Sequence, residues 1–347
     1  LLEKVLKNIH GKRIKFSSNI FFSNISDVNL LQKKNLSKIN NVSFGISKKN
    51  VRSIFKKNLL ESKVKGKRII HSFPQNFLLD ENRISNDPIG EKCNTLGISS
   101  LNLLADNKLL LSFEHCFKKI NISINSFFDS GVCAAYSSTT DNEKEDGVLC
   151  LDIGALTTKI VVIENKKVIY SNIIPLGGAH VTKDLHNGLQ ISEDSAETVK
   201  ILHGTLSPSF NNNIEVRINS TVKKHINENI LFGIIKPRYE EILEIIRDTL
   251  EENLISSSKM QNVVFTGGAV SIRGFQSFAS NIINRKIRIS SPKTNYNKIN
   301  KPEFSTIDGL IKIHNDSSLK RIISANSWNQ KLSFIEKIEN WITESIN

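Results

Sequence analysis

The chain has 347 residues, 39% of them hydrophobic and 23% charged, enough to bury a large core and to divide into two domains. No apolar run approaches the roughly 20 residues of a membrane-spanning helix, and the four cysteines form no C-x-x-C pair, which argues for reduced, packed thiols in a cytoplasmic protein. The net charge of +13 suits acidic partners, but the basic residues are scattered and no nucleic-acid-binding signature accompanies them, so no nucleic acid is expected.

The first residue is Leu1 and the single methionine is Met260, so an N-terminally truncated sequence is expected. Leu1, Leu2, Val5, Leu6 and Ile9 recur at helical spacing. Short strand-like runs over 12–24 lead into a polar, Lys- and Asn-rich stretch, 25–66, with a helix near Lys48 to Ser62. Ile69 to Asp80 is extended, and Pro74 suits an edge or a bulge. Asp87 to Gly90 is a turn, Leu96 to Leu104 a strand, 112–122 a helix, and Ser137 to Asp146 a polar surface turn.

Residues 147–163 carry the strongest chemical signal. Two apolar runs, Val148 to Leu151 and Ile160 to Ile163, flank Asp152-Ile153-Gly154 and two hydroxyls, Thr157 and Thr158. This reads as a β-hairpin whose tip suits a metal-bound phosphate. The carboxylate would hold Mg²⁺ or its water, the glycine would let backbone approach phosphate oxygens, and the hydroxyls would donate hydrogen bonds. Asp-Ile-Gly at a strand end also occurs as a plain tight turn.

Downstream, Val168 to Ile174 is a strand that ends at Pro175-Leu176-Gly177-Gly178. A helix from about Val181 to Leu189 follows, then another that Ser192 caps and that runs through His203. Residues 205–221 are loop and short strands. Pro237 suits the first turn of a long amphipathic helix. Val263 to Thr266 is a buried-type strand, followed by Gly267-Gly268-Ala269, a helix to about Asn284, a strand over Lys286 to Ile289 and a helix over Thr306 to Ile313. Glycines between a strand and a helix start let a nucleotide lie on the backbone, although a lone Gly-Gly also serves simple turns. The alternation of strands and helices argues for an α/β fold.

The two glycine-bearing segments, in this order, resemble the split nucleotide site of the actin-like ATPase superfamily. Within it the chain resembles the FtsA family of bacterial cell-division proteins. The segments that carry this are Ile69-Ile70-His71 with Pro74, Phe77, Asp80, Pro88 and Gly90; Pro175 to Gly178 with Thr182-Lys183-Asp184; Ala196 to Lys200 with His203-Gly204; Lys236 to Leu243; and Pro302 to Thr306 with Gly309-Leu310. The resemblance implies an actin-like two-domain fold with an inserted 1C subdomain. Subdomain 1A would comprise 1–15, 106–139 and 301–325 and lack its first phosphate hairpin, and 1C would comprise 16–105. Subdomain 2A would comprise 140–166 and 238–300, and 2B would comprise 167–237.

ATP and Mg²⁺ are the implied cofactors. Asp152, Gly154, Thr157 and Thr158 would face the phosphates and the metal, with Asp152 as metal ligand. Glu197 and Lys200 would border ribose and adenine, and Gly267, Gly268 and Ala269 would form the adenosine loop. The same Glu197–Lys200 spacing suits a surface ion pair. Family hairpins usually read Asp-Ile-Gly-Gly-Gly-Thr, whereas Ala155 and Leu156 stand here, which implies weakened nucleotide affinity and a nucleotide switch with little or no hydrolysis. No catalytic base is evident.

The tail repeats Trp328, Leu332, Ile335, Ile338, Trp341 and Ile342 at helical spacing, which suits either a membrane-interface helix over 326–347 or one docked on its own domain. The resemblance favours the membrane. It further implies a peripheral location on the cytoplasmic side of the inner membrane at the division site. Self-association into protofilaments, other divisome proteins and the filament-forming protein FtsZ would be the partners. The acidic FtsZ tail is expected near Arg238, a residue that also reads as an ordinary helix-start surface cation. The alternatives are the related pilus-assembly family and a small-molecule kinase of the same superfold.

Overall fold

The computed structural model describes residues 21–25, 27, 29–40, 42, 45–119, 122–207, 213–217, 223–253, 255, 260–293 and 300–316. The helices expected at 1–9 and 326–347, with Trp328, Leu332, Ile335, Ile338, Trp341 and Ile342, lie outside the described residues. Two compact units are formed, one within residues 21–129 and one over 130–315.

The first unit holds a parallel pair, β1 (Phe21–Ile25) with β6 (Ile124–Asp129), and is built on a four-stranded antiparallel sheet. The sheet strands are β2 (Leu31–Asn40), β3 (Lys67–Leu79), β4 (Arg83–Ser85) and β5 (Thr95–Asp106), in the order β2-β5-β3-β4. A helix, α1 (Lys48–Glu61), packs on it. Val51, Ile54 and Phe55 of α1 meet Phe77, Leu79, Leu96 and Ile98 of the sheet. β4 pairs only with Phe77 to Leu79, so the buried Pro74 has no β4 partner on that side, and the register also shifts between Pro74 and Asn76. Both tolerances expected of that proline are therefore used. β2 was hidden in the sequence: Gln32, Lys33, Lys34, Asn35 and Lys38 suppress the apolar alternation because β2 is an edge strand with much of its length exposed. The helix expected over 112–122 begins earlier, as α2 (Asn107–Lys118), because the Asp106 carboxylate caps the amides of Lys108 and Leu109.

The second unit opens with α3 (Ser130–Ser138) and α4 (Asp141–Asp146). The expected surface turn over Ser137 to Asp146 is thus mostly helical. Thr140 and Glu143 form a reciprocal capping box that offsets the polarity of this short helix. A five-stranded sheet follows. Its strands are β7 (Val148–Ile153), β8 (Thr158–Glu164), β9 (Lys167–Ile174), β12 (Asn262–Thr266) and β13 (Ile287–Ile289), in the order β13-β12-β7-β8-β9. β7, β12 and β13 run parallel, and β8 and β9 continue antiparallel from β7. A separate hairpin joins β10 (Asn213–Arg217) to β11 (Lys223–Asn227).

Helices α5 (Gly178–Leu189), α6 (Glu193–His203), α7 (Glu228–Glu252), α8 (Phe275–Ile283) and α9 (Ser305–Asn315) complete the unit. Leu231, Ile235, Tyr239, Ile242, Leu243, Ile246 and Leu250 of α7 are buried in a core shared with Leu149, Leu151, Ile153, Phe265 and Phe275. Pro237 is interior to α7, not in its first turn as expected. The helix starts well upstream of it, where the Asn227 side chain caps the first turn by accepting from the Asn229 amide. The proline removes only the donor that would meet the Gly233 carbonyl, while apolar residues on both sides of it stay packed in the core.

Candidate functional site

The β7–β8 hairpin sets the frame of the site. Ile153 opposes Thr158 and Asp152 opposes Lys159. The tip closes through a hydrogen bond from the Gly154 amide to the Thr157 carbonyl, 2.9 Å. On its other edge β7 runs beside β12, with Asp152 level with Thr266. Gly267 therefore emerges against the base of the hairpin. Its φ is +93°, and a Cβ there would lie 2.4 Å from both Asp152 Oδ1 and the Ile153 carbonyl oxygen. Only glycine fits that conformation and that approach. The single turn that follows, Gly268–Ser271, is pinned by the Tyr239 hydroxyl, which donates to the Ala269 carbonyl at 2.7 Å.

A third wall comes from the loop that enters α5. The amides of Gly178 and Ala179 donate to the hairpin carbonyls of Gly154 and Ala155, at 2.9 and 2.7 Å. A Cβ on Gly177 would sit 2.5 Å from the Gly154 carbonyl oxygen, so the loop needs a bare backbone there. Lys200, on α6, reaches into the same place. Its ammonium donates to the Gly178 carbonyl (2.9 Å), Thr182 Oγ1 (2.8 Å) and Glu197 Oε2 (2.7 Å). A Cβ on Gly178 would be 3.2 Å from the Ala269 side chain and 3.6 Å from that ammonium. Four chain segments far apart in sequence thus meet: the hairpin tip, the α5 entry loop, α6 and the Gly267–Ala269 turn.

The fold brings together Asp152, Gly154, Thr157, Lys200, Gly267, Gly268 and Ala269. The Glu197–Lys200 pair is present, but Lys200 also holds Gly178 and Thr182, so the pair braces a wall of the site. Burial works against the charged form of Glu197, yet hydrogen bonds from Lys200 and Thr182 and the nearby ammonium hold its carboxyl below the ordinary glutamate range. Thr158 faces elsewhere. It is fully buried, and its hydroxyl donates to the Leu176 carbonyl at 2.8 Å. Neither Ala155 nor Leu156 takes a positive φ, so the tip forms with side chains at both positions and without backbone strain, and Leu156 is 68% exposed. A groove of about 670 Å³ borders the turn and is lined by Val270, Ser271, Phe275, Gln276 and Pro302 among others; Asp152, Thr157, Glu197 and Lys200 do not line it.

Lys159 is the site residue that sequence reasoning missed. Its ammonium lies 3.1 Å from Asp152 Oδ2, with both side chains at least nine-tenths buried. The signal was present, since closing the hairpin between Ile153 and Thr158 places residue 159 opposite residue 152. This pairing bears on the Mg²⁺ expected at Asp152. The carboxylate already faces a cation, and among the described residues no cluster of three or more His, Cys, Asp or Glu side chains gathers anywhere. A divalent ion on Asp152 would be repelled by the ammonium beside it. The residues present do not fit a metal held by this carboxylate.

Arg238 has an intramolecular role. Its guanidinium makes a two-pronged contact with Asp184 of α5, at 2.7 and 3.1 Å, and also meets Glu241. It joins α7 to α5 from within the helix, where the sequence suggested a helix-start surface position.

A family model described as "Cell division protein FtsA" matches residues 149–309, and one described as "SHS2 domain inserted in FTSA" matches 26–103. The chain belongs to the FtsA family. The FtsA of Rhizobium meliloti is 29% identical over 231 residues, covering 65% of this chain and 52% of that protein. The FtsA of Bacillus subtilis is 29% identical, covering 70% and 56%, and that of Escherichia coli 24% identical, covering 79% and 69%. The chain spans about half the length of the first curated relatives it matches. Among solved structures, a type IV pilus biogenesis complex, PilM–PilN, aligns with a TM-score of 0.61 at 14% identity over 85% of this chain and 80% of that one. MreB5 of Spiroplasma citri bound to ADP aligns with a TM-score of 0.52 at 18% identity over 62% and 67%. The fold is actin-like α/β, with the FtsA-type domain inserted. Among the described residues no helix is long and apolar enough to cross a membrane.

Proposed function

We propose that this FtsA-family chain binds ATP where the hairpin, the α5 entry loop, α6 and the Gly267–Ala269 turn meet, and uses the nucleotide as a switch for assembly. The observation that supports this most is the close packing of chain segments at Gly154, Gly177, Gly178 and Gly267, the last of them against the buried Asp152 carboxylate. Without side chains at these positions the segments close on one another, as a site built around polyphosphate and ribose needs. Thr157 and the hairpin backbone would take the phosphates. Glu197 and Lys200 would border the ribose and adenine, beside Gly268 and Ala269. Bound nucleotide would supply the negative charge around which these segments tighten; the residues here bind and orient it. Within this reading, residues 140–166 with 238–300 act as subdomain 2A and 167–237 as 2B.

The wider role we assign is that of a peripheral tether. It would join FtsZ filaments to the cytoplasmic face of the inner membrane at the division site, self-associate into protofilaments and work beside other divisome proteins. Membership of the FtsA family supports this. Residues 328–347 would provide the membrane contact. An acidic FtsZ tail would reach Arg238 only by displacing Asp184.

Calorimetric titration of the chain with ATP tests the site. Gly268 has room for a side chain, since the nearest atom to a Cβ added there would be Glu303 Cβ at 3.6 Å. Gly268→Asp is therefore expected to weaken binding about tenfold or more through charge repulsion while thermal unfolding stays unchanged. Undiminished binding in this variant would remove the assignment. For the tether, vesicle flotation of FtsZ with the full chain should be lost when 328–347 are deleted; flotation that survives the deletion overturns the membrane role.

A further inference from the structure

We propose that Lys159 is a built-in cation at the phosphate-facing end of the hairpin, standing in for a divalent metal, so that this chain binds nucleoside polyphosphate without Mg²⁺. The inference rests on the ATP-binding reading above.

Two lysines reach the site, and they differ in what they have left to offer. The Lys200 ammonium has three donors and three acceptors, the Gly178 carbonyl, Thr182 and Glu197. Its capacity is filled by the protein. Lys159 also has three donors, but among the described residues its hydrogen-bond acceptor is Asp152 alone. Its side chain is 9% exposed, which leaves a narrow opening through which the other two can be met from outside. Buried ammonium donors without acceptors are costly, and a neighbouring anion relieves that cost.

The space around the ammonium is fitted to it. A Cβ on Gly154 would sit 3.3 Å from Lys159 Nζ and 3.2 Å from the Thr157 carbonyl oxygen. The missing side chain at 154 thus leaves the cation room at the hairpin tip. Asp152, directly across the ladder, fixes its position from one side. The carboxylate would otherwise be the metal ligand; here it orients a lysine. Phosphate oxygens at the tip meet a positive charge carried by the chain itself, and a polyphosphate needs no metal to bring that charge in.

The test is calorimetric titration of the full chain with ATP in excess Mg²⁺ and in excess EDTA. The proposal expects the two affinities to agree within about threefold. It expects Lys159→Gln to weaken binding in EDTA by about tenfold or more, the worth of a charge-assisted hydrogen bond. Lys159→Arg keeps the charge and is expected to keep metal-independent binding, which guards against a Lys159→Gln variant that merely folds poorly. Wild-type binding that is strong in Mg²⁺ and lost in EDTA overturns the built-in cation and leaves the ATP site standing. Equal binding in both media with no loss in a folded Lys159→Gln also overturns it. Absence of binding in either medium overturns the ATP reading itself.

Discussion

The two units fasten a helix to a sheet in different ways. In the first, the apolar contact of α1 gives way to a polar seam along its last turn. Ser100 Oγ donates to Asn58 Oδ1 (2.6 Å), and Asn102 Nδ2 donates to Ser62 Oγ and Ser100 Oγ (both 2.9 Å), all of them buried. In the second, α7 presents Ile235, Tyr239, Ile242, Leu243, Ile246 and Leu250 to an apolar core. A polar seam fixes register but contributes little net free energy, because each bond replaces one to water. An apolar seam contributes by area and close packing. The candidate site lies directly over the apolar one, and Tyr239 reaches from that core to hold the Ala269 carbonyl. The stability that positions the candidate site therefore comes from residues with no ligand chemistry.

Truncating the apolar seam is the severest way to break this contrast. Tyr239→Ala removes a ring that is 1% exposed and packed edge-on against Phe275 at 5.9 Å. It is expected to cost about 4 kcal/mol in urea unfolding. Gly267→Ala comes next. It forces a side chain into a positive-φ position and onto Asp152 and the Ile153 carbonyl. A cost of about 3 kcal/mol is expected, with the loss read both as a lower unfolding midpoint and as weaker ATP binding.

On the polar side, Asn102→Ala should cost only about 1–2 kcal/mol. A larger loss than that of Tyr239→Ala would invert the comparison. The smallest effect is that of Glu197→Gln. Because the native carboxyl is held below its ordinary range, its ion pair contributes above the unfolded-state pKa and is lost as pH falls through the depressed native value. The Gln variant should be slightly less stable at neutral pH, converge with the native protein in acid, and so show a shallower loss of stability across that window.

Much of the candidate site's geometry was legible because it is built locally. The Asp-Ile-Gly hairpin and the Gly-Gly turn each announce a strand, a bare backbone and the start of the next element. Lys159 escaped because a lysine in a strand reads as solvent-facing, whereas β8 lies between β7 and β9 and is buried on both faces up to Glu164. Recognising it required the register across the hairpin as well as the residue type. β2 escaped for the opposite reason, a polar edge strand with no alternation to show. At Pro237 the local rule for helix starts lost to tertiary packing, since apolar residues from Leu231 onward are already bound into the core. Asp184 stood out only as part of a family pattern, and nothing in the spacing showed that Arg238, 54 residues on, would close on it.

The bonds from the Gly178 and Ala179 amides to the hairpin carbonyls have a mechanical consequence. The tip is a bracket, because lifting it would strip the first turn of α5 of its attachment. Further along that helix, Asp184 grips Arg238, so α7 is fastened to the same rod. A load applied at the tip therefore travels as a rigid displacement along α5 and reaches α7 at Arg238, well away from where it began.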